Sequence, residues 1–184
     1  MDDLQAIRRL KNGDIGGLEV LIACYQIKAV GAAYLVTRNE PMAEDVVQEA
    51  FIRFYERARY FDESRPFGPY FLRCVVNRAL NAIEKEHAAV SFGEDLDAPV
   101  LQVLDRAVSV EEQVEYTQLK TEIARALESL SPRQRAAVTL RYYLGMNEKE
   151  MTKALKVARG TVKWLLSAAR DRLRILLSPE RISE

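Results

Sequence analysis

Asp45, Gln48 and Glu49 recur at steps of three and one, with Ile52 and Arg53 a turn further on. Residues three and four apart share a helix face. This set therefore presents two carboxylates, an amide and an apolar side chain together. Such a face accepts charge-assisted hydrogen bonds from the arginines of a partner protein; the same pattern is also that of an ordinary solvated helix face. Near the other end, Arg159, Thr161, Lys163 and Trp164 open a helix behind a tight turn. In a helix-turn-helix that position meets base edges, and free backbone N–H groups there favour phosphate. Catalysis has little to work with. There is one histidine, His87, no nucleophile spaced to a base and no glycine-rich phosphate loop. Cys24 and Cys74 stand alone in apolar helical stretches and are expected to be buried thiols. A disulfide or metal framework needs more ligands at closer spacing, so no metal and no cofactor are expected.

The elements that position these residues are helices. Helical spacing recurs along most of the chain, and no clean strand alternation is bounded by turn residues. A first helix is expected over Asp3–Lys11, stopped by Asn12-Gly13. A second runs from Ile15 to Arg38. Asn39-Glu40-Pro41 then breaks and recaps the chain, and a third helix runs from Pro41 to Tyr60. Ala43, Val46, Val47, Ala50, Phe51, Phe54 and Ala58 form its apolar stripe. Asp45, Gln48, Glu49, Ile52 and Glu56 take the opposite face. Phe61–Pro69 reads as a loop, and a fourth helix is expected from Tyr70 to His87, with Arg73, Asn77, Asn81 and Glu84 along one side. A second domain starts near Val110. In it Ser131-Pro132-Arg133-Gln134 is a capped helix start, and Asn147-Glu148-Lys149-Glu150 carries a similar box. Lys156-Val157-Ala158 is the turn before the last helix, which begins near Arg159 and ends before Ser178-Pro179. Val162, Leu166, Ala169, Leu173 and Leu176 face its core.

Charge is uneven along the chain. The whole carries 27 basic and 27 acidic side chains. Residues 1–90 are near neutral, with 12 basic and 13 acidic; residues 91–117 hold 1 basic and 7 acidic; residues 118–184 hold 14 basic and 7 acidic. A basic C-terminal third fits a polyanion partner, and an acidic middle fits a tether between domains. No apolar run approaches the roughly 20 residues of a membrane span. The acidic Met1-Asp2-Asp3 start is unlike a signal peptide, so a cytoplasmic protein without membrane insertion is expected.

In their order these segments resemble a bacterial sigma factor of the extracytoplasmic-function type, the minimal two-domain kind. "NGDIGGLEVLIACYQ" resembles the opening helices and "MAEDVVQEAFIRFY" the motif that grips core RNA polymerase. "FDESRPFGPYFLRCVVNRALNAI" resembles the promoter-melting segment. "ALESLSPRQRAAVTLRYYLGMNEKEMTKALKVARGTVKWLLSAARDRL" resembles the C-terminal helix-turn-helix. The resemblance implies an all-α fold of two small domains: a sigma region 2 bundle over 1–87, an acidic linker over 88–109 and a sigma region 4 helix-turn-helix over 110–184. It implies a non-enzymatic protein that directs RNA polymerase to promoters. Asp45, Gln48, Glu49, Ile52 and Arg53 would bind core polymerase. Arg65, Phe67, Tyr70, Arg73, Asn77, Arg78 and Asn81 would hold the melted minus-ten element. Arg159, Thr161, Lys163 and Trp164, with Arg141 and Lys149 on phosphates, would meet the minus-thirty-five duplex. The linker would pass through the polymerase interior, and an anti-sigma factor is the expected regulator.

The chain departs from that pattern in two places. Asn81 and Glu84 stand where the family has Asp and Arg, followed by Lys85-Glu86-His87 in place of a basic cluster. Leu165 and Ala168 stand where arginines are usual in the recognition helix, and Trp164 replaces a small polar residue. Fewer phosphate contacts mean weaker binding and a flatter salt dependence, which polymerase docking can offset through effective concentration. Trp164 fits three roles: cover for thymine methyls, a plug within its own domain, or part of an exposed protein-binding patch. Two other functions compete with the resemblance, a sigma-like regulator acting by protein binding and a conventional helix-turn-helix repressor.

Overall fold

The structure, a computed structural model, describes residues 2–89 and 122–177, and the chain divides into two compact units, Met1–Ala82 and Ile83–Glu184. The expected linker and the start of the second domain at Val110 lie outside the described residues, apart from the helical backbone of 88 and 89. The side chain of His87 and the expected stop at Ser178-Pro179 also lie outside them. Among the described residues the regular elements are all helical.

In the first unit, α1 (Asp3–Lys11) ends at Asn12 and turns through Gly13, whose φ is 84°. Only glycine holds that conformation without steric cost. Helix α2 (Gly16–Thr37) packs against α1 and α3 (Glu40–Arg57). It crosses α1 at Gly17, where any Cβ would collide with the Ala6 carbonyl oxygen. By length and composition α2 is apolar enough to cross a membrane, contrary to the expectation that no such run exists. Packing accounts for part of that composition, since 44% of its apolar window is buried while Ala23 and Ile27 stay exposed. Leu21, Ala29, Ala32, Ala33, Tyr34 and Val36 are all buried within the unit. Cys24, by contrast, is exposed on this helix, so only Cys74 is partly covered, and burial pushes its thiol pKa up.

Asn39 is extended and accepts the Met42 N–H at 2.9 Å, which caps α3 as its sequence predicts. The predicted stripe of α3 is buried in full, from Ala43 to Phe54, with Ala58 in the 3-10 turn Ala58–Tyr60. Helix α4 (Phe67–Ala89) starts three residues earlier than the sequence indicated. Pro69 falls in its first turn, where its missing N–H costs nothing, so Pro66 rather than Pro69 closes the loop. Phe67 is consequently a helix residue 2% exposed, inside a cluster with Phe54 (4.7 Å), Phe71 (5.3 Å) and Tyr25 (5.2 Å between ring centroids). Aromatic pairs at these separations add to simple burial.

In the second unit a helix over 122–128 (α5) precedes α6 (Pro132–Val138), which runs on into a wide turn at Thr139–Tyr143. Both capping boxes form. Gln134 N–H donates to Ser131 Oγ while Ser131 N–H donates to Gln134 Oε1. Asn147 and Glu150 reciprocate in the same way to start α7 (Glu148–Leu155). Lys156 turns the chain with φ 54°, and α8 (Arg159–Leu176) follows. Leu140, Met151, Ala154, Val162, Leu166 and Ala169 form the core between α6, α7 and α8.

Candidate protein and promoter interfaces

Burying Val46, Val47, Ala50 and Phe51 leaves Asp45, Gln48, Glu49, Ile52 and Arg53 exposed on one face of α3. Ile52 stays 50% exposed among these polar groups, an apolar spot ringed by charge. Arg53 Nη2 lies 2.9 Å from Glu49 Oε1, one turn away. Arg78 Nη1 reaches Glu49 Oε2 from α4, also at 2.9 Å. Desolvation works to raise the Glu49 pKa, but the Arg53 hydrogen bonds and the Arg78 charge outweigh it and hold it below its ordinary value. The carboxylate stays ionised and its two arginines hold its rotamer. Both Glu49 oxygens are thus engaged, and the face presents a fixed carboxylate–arginine cluster beside the exposed Asp45 carboxylate and Gln48 amide.

Around the start of α4, Asp62 organises the loop. It accepts from the Ser64 hydroxyl at 2.7 Å and the Ser64 N–H at 3.0 Å, and pairs with exposed Arg65 at 3.2 Å. Lys11 donates to the Phe61 carbonyl at 2.8 Å and pairs with Glu63, fixing the loop on α1. Tyr70 is half-buried against Phe61, and Arg73 lies over its ring. Asn77 is partly covered and Asn81 exposed. Of the residues expected to hold single-stranded DNA, Phe67 is the one the fold removes, because its ring is core. Sequence reasoning missed Tyr60. Its ring is 75% exposed beside the same loop, with the Arg59 guanidinium over it. The available signal was register: Phe54, Ala58 and Phe61 are buried, and Tyr60 falls out of their phase.

In the second unit, Arg159, Thr161, Lys163 and Trp164 are exposed on the first turns of α8. Leu165 is 4% exposed and belongs to the core, so it is not a missing phosphate contact. Trp164 is 64% exposed, which removes the reading of it as a plug inside its own domain. Arg159 Nε pairs with Glu148 Oε2 at 2.8 Å, joining α8 to α7. That hydrogen bond is the largest cause of the lowered Glu148 pKa, and Lys163 and Arg141 add their charge. Arg141 donates to the Met146 carbonyl at 3.0 Å, so one guanidinium nitrogen is committed to the turn before α7. Lys149 is exposed on α7.

The Sigma-70 region 2 family matches residues 21–88, and the Sigma-70, region 4 family matches residues 120–173. The chain is an extracytoplasmic-function sigma factor of the sigma-70 family. It is 28% identical to the ECF RNA polymerase sigma factor SigW of Bacillus subtilis over 174 residues, 91% of this chain and 92% of that protein. It is likewise 28% identical to the ECF RNA polymerase sigma-E factor of Escherichia coli K12 over 179 residues, 93% and 92% of the two chains. Two solved structures share its fold: CnrH in complex with the cytosolic domain of CnrY (TM-score 0.63, 20% identity, 95% and 96% covered) and RpoE in complex with the anti-sigma factor NepR from Bartonella quintana (TM-score 0.64, 22% identity, 88% and 95% covered). As a sigma factor of this type, the protein binds core RNA polymerase and directs initiation of transcription at promoter DNA.

Proposed function

We propose how this sigma factor divides its task among named side chains. The α3 face of Asp45, Gln48, Glu49, Ile52 and Arg53 docks on core polymerase. The observation that carries this is the half-exposed Ile52, an anchor ringed by the exposed Asp45 and Gln48 and the fixed Glu49–arginine cluster. Buried apolar anchors with charged rims dominate protein interfaces. Arg65, Arg73, Asn77, Arg78 and Asn81, with Tyr70 and Tyr60 as aromatic surfaces, hold the separated minus-ten strand. Stacking there is worth roughly 1–3 kcal/mol per base, enough to offset unpairing at a few positions. Arg159, Thr161, Lys163 and Trp164 meet the minus-thirty-five duplex, with Arg141 and Lys149 on phosphates. The protein itself does no chemistry on the nucleic acid. It works in the compartment of the polymerase, and an anti-sigma protein is its proposed regulator, as NepR is bound to its structural relative. Binding of labelled core polymerase to the wild-type chain and to Asp45→Arg tests the docking assignment. A loss of about tenfold or more supports it, and equal affinities contradict it.

A further inference from the structure

Gly160 and Trp164 lie one turn apart on α8 and so share a face. The fold explains neither. Trp164 is 64% exposed. A Cβ at Gly160 would meet nothing within 4 Å, and Gly160 does not have a positive φ. Glycine inside a helix usually marks close packing or an unusual backbone angle. Within this unit it marks neither. The result is a flat indole beside a bare turn of helix, flanked by the exposed cations Arg159 and Lys163.

The cations select a polyanion, but the indole suits no phosphate: it has a single N–H donor and a wide apolar face. In the major groove the apolar group offered by base edges is the C5-methyl of thymine. A helix with no side chain at Gly160 can come close enough to the groove floor for an indole one turn on to lie over such a methyl. We propose that Trp164, seated by Gly160, is a specificity-determining residue that reads thymine methyl groups in the duplex element bound by α8. The inference rests on the assignment of α8 to that duplex.

The test uses the full chain assembled with core RNA polymerase and a duplex pool randomised through the upstream promoter segment. Thymine should be enriched at one position or more, on either strand. Deoxyuridine at that position, which removes the methyl alone, should weaken binding about fourfold, the worth of one buried methyl-sized group. Trp164→Ser should lose both the thymine preference and the deoxyuridine effect. Gly160→Ala should keep or raise the melting temperature, since alanine is the better helix former, and still weaken selection. An enriched element that does not respond to deoxyuridine, or that Trp164→Ser selects equally well, overturns this inference and leaves the duplex assignment standing. Failure to enrich any duplex sequence overturns both.

Discussion

The Arg78 guanidinium lies 2.9 Å from the Glu49 carboxylate, joining α4 to the exposed acidic face of α3. Arg78 is among the residues proposed to hold DNA, and Glu49 lies on the face proposed to dock on polymerase. One ion pair thus serves both proposed interfaces. Arg78 is 20% exposed and Glu49 51%, so solvent screens the pair and its worth to stability is small, at most about 1 kcal/mol. Its value lies in fixing the Glu49 rotamer.

Glu49→Ala should therefore change the melting temperature little and weaken core polymerase binding about tenfold or more. Arg78→Ala should weaken core binding less, and a double-mutant cycle should show coupling between the two. Equal core affinities with a lowered melting temperature would make the pair purely structural. Chemical denaturation and core-binding titrations of the four proteins provide the comparison.

Phe67 and Tyr60 should behave oppositely. Phe67→Ala removes a ring 2% exposed and should cost about 3–5 kcal/mol of stability. Tyr60→Ala removes a ring 75% exposed and should leave stability nearly unchanged. It should slow promoter opening by roughly tenfold or more, the loss of one stacked base. Permanganate reactivity of unpaired thymines measures the opening.

Glu148 holds Arg159 at 2.8 Å and places a negative charge beside Lys163 and Arg141. Glu148→Gln should free Arg159 for phosphate, strengthen binding to the upstream duplex and steepen its salt dependence by about one in log–log slope. Affinity measured across a salt series would show it; an unchanged slope would mean that Arg159 does not reach phosphate.

Acid should loosen the first unit. Glu63 has its pKa lowered by hydrogen bonds from Lys11 and Arg8, and Asp62 by those from Ser64. A depressed folded pKa contributes stability that is present above the unfolded value and lost as pH falls through the folded one. The ordinary values for these side chains are 4.5 for glutamate and 3.8 for aspartate, so the loss should begin near them and deepen below. Glu63→Gln should flatten that acid limb without altering core binding at neutral pH. Thermal melts across the acid range test it.

Much of this fold was legible because its signals are local. The α3 stripe follows from three- and four-residue spacing, and the boxes at Ser131 and Asn147 from side chains that answer their own backbone. What sequence missed depends on neighbours distant in the chain. Pro66, Gly68 and Pro69 together read as a loop that ends before Tyr70, whereas Gly68 and Pro69 both sit inside the first turn of α4 and carry Phe67 into the core. Cys24 looked buried because α2 is apolar nearly all round, yet α1 and α3 leave that side of it uncovered. Leu165 was counted as a lost DNA contact, whereas it completes the packing of α8. The Glu49–Arg78 pair joins residues 29 positions apart and has no local signal.

The most direct measurement is run-off transcription from a pool of genomic promoter fragments, with core RNA polymerase alone and with the purified chain added. Transcripts with defined start sites that appear only when the chain is present, and that vanish with Asp45→Arg, are the predicted result. No chain-dependent transcript together with no binding to core polymerase would contradict the account.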